Sequence, residues 1–255
     1  MAADSAVYVY GIVPAAIETD PQATGIGGAT VTAVRHGELA ALISELDLDR
    51  PLGTPDDLLA HEALLDETAA VVPVLPVRFG AVLANRTAVV DELLATHHDD
   101  FLAALAGLEG KAQYVISARY VADAVLREVL AADPRIDQLR AAIRDRPTEA
   151  ARDERIALGR LVQGALDARR AADTRAVADA VAPIATGVVT REPPGEYGAA
   201  DVAILADLAR EDDLERAVAG LAERRAGQLE VRLLGPLAPY EFVADLRPEA
   251  RTWDS

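Results

Sequence analysis

Cysteine is absent from this chain of 255 residues, which excludes disulfide bonds and thiolate zinc sites and is compatible with a reducing compartment. Aromatic residues make up only 4% of the chain. Alanine, valine and leucine must therefore form most of the core, and each of these side chains buries little area. Lysine occurs once, at Lys111, among 25 basic residues, a bias of composition that indicates no mechanism.

Long hydrophobic runs are also missing. No stretch reaches the roughly 18 consecutive apolar residues of a membrane-spanning helix, so none is expected. Residues 1–13 contain neither a basic region nor a long apolar stretch, so no signal peptide is expected. Together these absences predict a soluble, cytoplasmic protein.

The chain has few basic residues: it contains 25 Lys and Arg residues and 42 Asp and Glu residues, so its net charge is −17. Phosphate groups would repel such a chain, so binding to nucleic acid or to an anionic membrane is not expected. The negative excess favours solubility. Half of the residues are apolar, as in globular proteins, and the length suits two domains.

The most densely apolar stretch is residues 71–80, VVPVLPVRFG, which nevertheless contains two prolines. Pro73 and Pro76 each remove a backbone donor and fix φ, which excludes a helix and an ordinary central strand. We predict a buried, partly extended segment at a sheet edge that leads into a polar turn at residues 78–80. Prolines in this position would block indiscriminate pairing along the edge.

Residues 1–110 are predicted to form a small α+β domain with the order βββαβα. β-branched and aromatic residues predict strands at 6–13, 31–35 and 39–44. A helix is predicted from Thr54 to about residue 70, and a second one over residues 87–106. The predicted buried faces are Leu58, His61, Leu65 and Val72 in the first helix, and Val90, Leu94, His97, Phe101, Leu105 and Leu108 in the second.

Residues 111–255 are predicted to form a second domain with a C-terminal tail. The order strand, helices, strand, strand, helix, strand is the βαββαβ order of a ferredoxin-like fold, with the first crossover enlarged by a long helix. Asp212 is the predicted cap of the last helix, with Glu215 three residues on. The predicted strands are 111–121, 184–191, 200–206 and 228–234, and the predicted helices are 122–131, 135–146 and 147–182. The predicted class is thus α+β in two domains.

No set of residues predicts catalysis, a cofactor or a metal. His97, His98, Asp99 and Asp100 are consecutive on a helix and point about 100° apart, so they do not converge on one ion. His97 is interpreted as a hydrogen-bonded core histidine, and His61 as a packing residue between two leucines. Residues 25–28 have neither the lysine of a phosphate loop nor the spacing of a dinucleotide loop.

Arg78 has two interpretations. It could bind an anionic ligand or a partner's carboxylate. It could equally form an internal salt bridge that fixes the turn, because the chain is so acidic.

Four segments, in their order and separation, resemble the GvpF/GvpL family of gas-vesicle proteins. They are YVYGIV at residues 8–13, VLPVRFG at 74–80, DVAILADL at 201–208 and LLGPLAPYEFV at 233–243. The resemblance implies two α+β domains, the second ferredoxin-like. It also implies an accessory or minor structural protein of the cytoplasm and the gas vesicle, without enzymatic activity, that binds the hydrophobic shell protein GvpA and other accessory proteins. Such a protein would assist assembly in the manner of a chaperone, by preventing aggregation of the shell protein.

A partner that covers an apolar protein needs an apolar or edge-strand surface, with charge elsewhere to keep the complex soluble. The candidate contact residues lie in the proline-rich stretch and in the predicted turn near the C-terminus: Arg78, Phe79, Gly80, Gly235, Pro236, Pro239, Tyr240 and Phe242. Two alternatives stay open. One is a small-molecule-binding domain or enzyme built on the ferredoxin-like half, and the other is a scaffold that binds accessory proteins without touching the shell protein.

Overall fold

The computed structural model describes residues 6–18, 20–47, 50–144, 146–147 and 149–243. The chain has mixed helix and sheet with two antiparallel sheets, which is the predicted α+β class. It divides into two compact units. The first contains the described residues of Met1–Tyr114, Leu205–Ala209 and Gly235–Ser255, and the second contains those of Val115–Ile204 and Arg210–Leu234.

The first unit is organised around strand β1 (Val7–Pro14). This strand lies in the middle of a sheet whose order is β2 (Thr32–His36), β3 (Leu39–Glu45), β1, β4 (Leu75–Pro76), with β5 (Val82–Leu83) also paired to β1. All residues of β1 except the terminal proline are buried, as its apolar and β-branched composition predicts. β2 and β3, near the strand ranges predicted, pair with each other as an antiparallel hairpin.

Helix α1 (Pro55–Ala69) lies between β3 and β4 in the chain and begins as predicted. Thr54 and Asp57 form a capping box, and Pro55 occupies the first position. Burial opposes ionisation of Asp57, but the Arg50 guanidinium at 2.5 Å and the Gly53 and Thr54 N–H groups lower the pKa of the carboxyl to about 2. One predicted member of the buried face is wrong, since Leu58 is 43% exposed, and another, Val72, lies beyond the end of the helix and is only half-buried.

The predicted helix over residues 87–106 is interrupted. A short helix α2 (Arg86–Ala88) passes into a π-helical turn, Val89–Leu94, and α3 (His98–Leu108) begins after a break. The Ala95 N–H donates to the Val90 carbonyl, five residues back, at 2.8 Å. Phe101, Leu105 and Leu108 are nevertheless buried, as is Leu94. His97 lies at the break, half-buried and 5.4 Å from the Phe101 ring centre, so its assignment to the core was wrong.

The second half of the chain adds the elements that its patterns predict. They are β6 (Lys111–Tyr120), α4 (Ala122–Ala132), α5 (Pro134–Ile143), α6 (Arg152–Val181), β7 (Ala185–Arg191), β8 (Gly198–Asp207), α7 (Glu211–Arg224) and β9 (Leu229–Leu237). The sheet order is β7-β8-β6-β9. At 30 residues, α6 is about 45 Å long, and it begins after a 3₁₀ turn at Glu149–Ala151 instead of at residue 147.

The predicted cap of α7 was also wrong. Arg210 occupies the N-cap position without a side-chain hydrogen bond, and Asp212 lies in the first turn beside two other acidic residues, where the helix dipole favours negative charge. The C-terminal tail was predicted without a starting residue, and residues 244–255 lie outside the described residues. None of the helices in the described part of the chain combines the length and the apolar character needed to cross a bilayer.

Candidate functional site

Two residues of the proline-rich stretch, Leu75 and Pro76, form β4 at the edge of the first sheet, where the stretch was predicted to lie. Pro76 and Leu75 pair with Gly11 and Ile12 of β1, and the Val77 N–H donates to the Tyr10 carbonyl at 2.9 Å. β5 resumes the pairing with Val7 and Tyr8. Residues 78–80 lie between these two short strands, so the edge strand is interrupted where the sequence changes from apolar to polar.

Residues 78–80 are held by a strand hydroxyl. The Gly80 N–H donates to Tyr8 Oη at 3.0 Å, and Gly80 has φ +92°, a conformation that side chains disfavour. Phe79 is half-buried, with its ring centre 6.0 Å from that of Tyr8 and 5.6 Å from that of His61. Arg78 is exposed and has no ion-pair partner among the described residues, so the internal salt bridge that was one of its two interpretations is not found there.

The second candidate segment, residues 235–242, is not the turn that was predicted. β9 continues through Gly235 and Pro236, and a 3₁₀ turn follows at Tyr240–Phe242. Gly235 has φ +140°, and a Cβ there would lie 2.5 Å from the Tyr114 ring and 3.0 Å from the Gln113 carbonyl oxygen. Only glycine fits at this position.

Two side chains hold the 235–242 segment by its backbone. The Ala238 N–H donates to Asp66 of α1 at 2.8 Å, and the Glu241 N–H donates to Gln113 of β6 at 3.0 Å. Burial raises the pKa of Asp66, and this hydrogen bond opposes the shift.

Both candidate segments meet at His61, which is only 1% exposed. Its Nδ1 lies 3.0 Å from Tyr8 Oη and its Nε2 lies 2.9 Å from Tyr240 Oη. The ring of Tyr10 stacks on the imidazole at 5.7 Å, and Phe79 meets it edge-on. We call these five residues, Tyr8, Tyr10, His61, Phe79 and Tyr240, the tyrosine–histidine cluster.

The cluster is electrically neutral at physiological pH. Burial lowers the pKa of His61 to about 4 and raises the pKa of Tyr8 and of Tyr10. A neutral imidazole has one donor and one acceptor, so it satisfies both tyrosine hydroxyls in either tautomer. Tyr10 Oη accepts the Ile26 N–H and lies 2.8 Å from Ser44 Oγ. The histidine therefore joins a strand, a helix and the C-terminal segment.

The structure thus brings three of the eight candidate contact residues together, namely Phe79, Gly80 and Tyr240. Gly235 lies instead against β6, and Pro239 is buried. Pro236 and Phe242 are half-buried, so the exposed candidates are Arg78, Gly80 and Gly235. Among the described residues, no group of three or more acidic, histidine or cysteine side chains is arranged to hold a metal ion.

The sequence-based prediction missed the central position of His61 and the apolar surface beside it. Leu58, one helical turn before His61, and Leu59 are 43% and 62% exposed, and Val71 at the end of α1 is 79% exposed. We call Leu58 and Leu59 the α1 apolar surface, whereas Val71 lies beyond the other end of the helix. The alternation of Tyr8 and Tyr10, which places both rings on one face of β1, was the available signal for the cluster.

Known proteins resemble this chain over nearly its whole length. Residues 6–244 match the family described as gas vesicle synthesis protein GvpL/GvpF. A gas vesicle protein F of Streptomyces sp. (strain CB03234) is 34% identical over 92% of this chain and 98% of the relative, and one of Dolichospermum flosaquae is 26% identical over 93% and 97%.

Solved structures agree with this at the level of the fold. The crystal structure of GvpF from Anabaena sp. PCC7120 superposes with a TM-score of 0.79 at 23% identity, covering 93% of this chain and 98% of that one. GvpF from Microcystis aeruginosa gives a TM-score of 0.76 at 22% identity, covering 93% and 98%. The chain therefore belongs to the GvpL/GvpF family of gas vesicle proteins, and its role is a gas-vesicle-related one.

Proposed function

We propose that this chain is a non-enzymatic accessory or minor structural protein of the gas vesicle. It acts in the cytoplasm and at the vesicle, binds the hydrophobic shell protein GvpA and other accessory proteins, and keeps the shell protein from aggregating before assembly. Family membership carries the gas-vesicle part of this proposal. The binding part is supported by an exposed apolar surface on a chain with a net charge of −17.

We place the contact on the first unit, at the α1 apolar surface and Arg78. The leucines offer apolar area for a hydrophobic partner, and Arg78 is an exposed cation that can pair with a carboxylate or a C-terminus. Phe79 and Tyr240 both contact His61, which lies one helical turn after Leu58, so they fix the helix that carries this surface. The two family segments then act by shaping the surface, with Arg78 as the direct contact.

The test is co-expression of GvpA with this chain, reading the soluble fraction of GvpA and its recovery in a pull-down. The double variant Leu58→Ser/Leu59→Ser should lower both readouts about fivefold or more, because it removes exposed apolar area without opening the core. Ile156→Ser/Val188→Ser removes similarly exposed side chains of the second unit, 44% and 41% exposed, and should leave both unchanged.

Arg78→Ala tests the polar contact against Arg232→Ala, which removes an exposed arginine from β9. Recovery of GvpA should fall with the first variant only. If GvpA stays insoluble beside the wild-type chain while other accessory proteins are recovered, the chain is a scaffold that does not handle the shell protein. If the leucine and arginine variants both retain full recovery, the proposed contact surface is wrong.

We also propose two domains, at residues 1–110 and 111–255, with the second ferredoxin-like. The sheet order β7-β8-β6-β9 supports this. If the four strands of the second half are numbered 1 to 4 along the chain, the order is 2-3-1-4, which is that of a ferredoxin-like sheet. Separate expression of residues 1–110, 111–255 and 111–234 tests the division. Cooperative unfolding of the first two fragments supports it, and a folded 111–234 beside an unfolded 1–110 would assign the C-terminal segment to the first domain.

A further inference from the structure

An open groove of about 570 Å³ lies beside the C-terminal half of α3, within the first unit. Its walls are apolar: Leu102, Leu105 and Ala106 come from α3, Pro14 from the end of β1, and Pro73 from the proline-rich stretch. None of the five residues of the tyrosine–histidine cluster lines it. We call it the α3 groove. Its volume is within the range of grooves that bind small ligands or a few side chains of a partner.

Two carboxylates stand at the margin of the α3 groove. Glu38 belongs to the turn between β2 and β3, and Glu109 is the C-cap residue of α3. Both are exposed, and within the described ranges neither has an ion-pair partner. Two cations on neighbouring elements are already engaged: Lys111 donates to a carbonyl of α3 at 3.0 Å, and Arg35 donates to two carbonyls of the loop after β1 at 3.1 and 2.9 Å.

The end of α3 carries partial negative charge, as the C-terminus of a helix does, and Lys111 Nζ offsets it at one carbonyl, that of Gly107. The last turn of the helix contains no basic residue. A carboxylate at this position, such as that of Glu109, is electrostatically unfavourable, whereas a cation is favourable. An apolar floor with unpaired negative charge at its margin is complementary to an apolar segment that carries positive charge.

We propose that the α3 groove binds a short segment of a protein partner that combines apolar side chains with lysine or arginine. Its apolar side chains cover Leu105 and Ala106, and its cations reach Glu38 and Glu109. This inference deepens the proposed function, on which it rests, by giving the chemistry of the segment that a gas-vesicle component presents. A second copy of this chain is a poorer occupant, because two chains with a net charge of −17 repel each other.

The first test fills the α3 groove. The probe is a fluorescein-labelled amphipathic peptide of about a dozen residues, made of leucine, alanine and lysine, and its binding is followed by fluorescence anisotropy. Ala106→Trp should weaken binding about tenfold or more, because the indole occupies the groove. Ala103→Trp adds the same side chain at another exposed position of α3 and should bind as the wild type does.

The second test reverses the charge at the margin. Glu38→Lys/Glu109→Lys should abolish binding of the lysine peptide and allow binding of a matched peptide with glutamate in place of lysine. Glu67→Lys/Glu215→Lys makes the same change in net charge at exposed sites on α1 and α7 and should leave the peptide preference unchanged. Equal weakening by both pairs would show attraction by net charge alone and overturn the proposal.

Other outcomes separate this inference from the proposed function. If the groove variants no longer bind the peptide and the wild-type chain does not keep GvpA soluble, the groove proposal is supported and the proposed function fails. If GvpA is kept soluble equally by wild type and by Ala106→Trp, and neither protein binds the peptide, the proposed function stands and the groove proposal fails. Sedimentation velocity tests whether a second copy of the chain occupies the groove. If the wild-type chain dimerises and Ala106→Trp does not, a second copy is the occupant and the proposed chemistry is overturned.

Discussion

At the scale of single residues, His61 shows how burial sets a titration. Its two ring nitrogens face the hydroxyls of Tyr8 and Tyr240, and Tyr8 Oη already accepts the Gly80 N–H. A protonated ring would have to donate to both hydroxyls in a site with almost no solvent. Burial therefore lowers its pKa from the ordinary 6.5 to about 4.

Acid should destabilise the fold through this residue. Between a pH of about 6.5 and about 4 the unfolded chain binds a proton at His61 that the folded chain does not. The free energy of unfolding therefore decreases as the pH is lowered through this range. At about pH 4.5 the loss relative to about pH 7 is about 2 to 3 kcal/mol. In urea titrations, His61→Gln should be less stable than wild type at neutral pH and lose less on acidification.

A comparison with His98→Gln controls for the other titrating groups. His98 lies partly exposed beside Asp99, so this variant makes the same exchange of side chains outside the buried cluster, and the difference between the two variants isolates the acid loss specific to His61. Asp66, with its raised pKa, adds stability as the pH falls, but it is present in all three proteins and cancels in the comparison. A His61→Gln variant that shows the full wild-type acid loss would contradict the assignment.

At the scale of elements, α6 is tied to its neighbours by Asp173, a carboxylate only 3% exposed. It accepts hydrogen bonds from the Tyr120 hydroxyl of β6 at 2.9 Å, from Arg169 of α6 itself at 3.0 Å, and from Arg225 at the end of α7 at 2.7 Å. A buried charge of this kind is tolerated because it is paired and fully hydrogen-bonded.

Asp173→Asn should lower the free energy of unfolding by about 1 to 3 kcal/mol, because Arg225 loses its counter-charge and Arg169 keeps only Glu128, while both arginine side chains, 26% and 30% exposed, stay partly solvated. Asp179→Asn changes an exposed carboxylate near the C-terminus of the same helix, where the helix dipole disfavours it, and should be neutral or slightly stabilising. Urea unfolding followed by circular dichroism measures both. Equal effects of the two variants would show that the Asp173 network contributes little.

Elements with a regular period could be predicted from the sequence, and irregular ones could not. The apolar spacing of Phe101, Leu105 and Leu108 identifies the buried face of α3, but the π-helical turn before it inserts a residue without leaving an apolar signature. Leu58 satisfies the helical period and is still exposed, since a period specifies a face without specifying what covers it.

The sequence predicted which segments form the candidate site, but it did not predict which side chains contact one another there. Both family segments were identified, and the edge position of residues 71–80 followed from their prolines. The centre was missed because His61 meets partners 53 and 179 residues away, and local patterns carry no information on such pairings. Arg78 and the α1 apolar surface are defined by exposure, which depends on the complete fold.

At the scale of the whole molecule, two electrostatic effects compete. Exposed ion pairs such as Arg86–Glu45, whose side chains are 49% and 50% exposed, contribute about 0 to 1 kcal/mol each and weaken in salt. Against them stands the mutual repulsion of 42 acidic residues with only 25 basic ones, which salt also screens. Because the repulsion acts over the entire surface and the exposed pairs are weak, we expect the repulsion to dominate.

Raising sodium chloride from about 20 to about 500 mM should therefore increase the Tm by several degrees, at about 2 to 4 °C for each kcal/mol gained. Differential scanning fluorimetry measures this, and Glu67→Gln/Glu215→Gln, with fewer charges, should respond less. Under the proposed function, the same repulsion keeps one complex of this chain with GvpA from associating with another. Salt should therefore make the GvpA complex less soluble, although it stabilises the free chain. A Tm that falls with salt would show that the ion pairs outweigh the net charge, and the acidic surface would then have to be explained by specific pairing instead of repulsion.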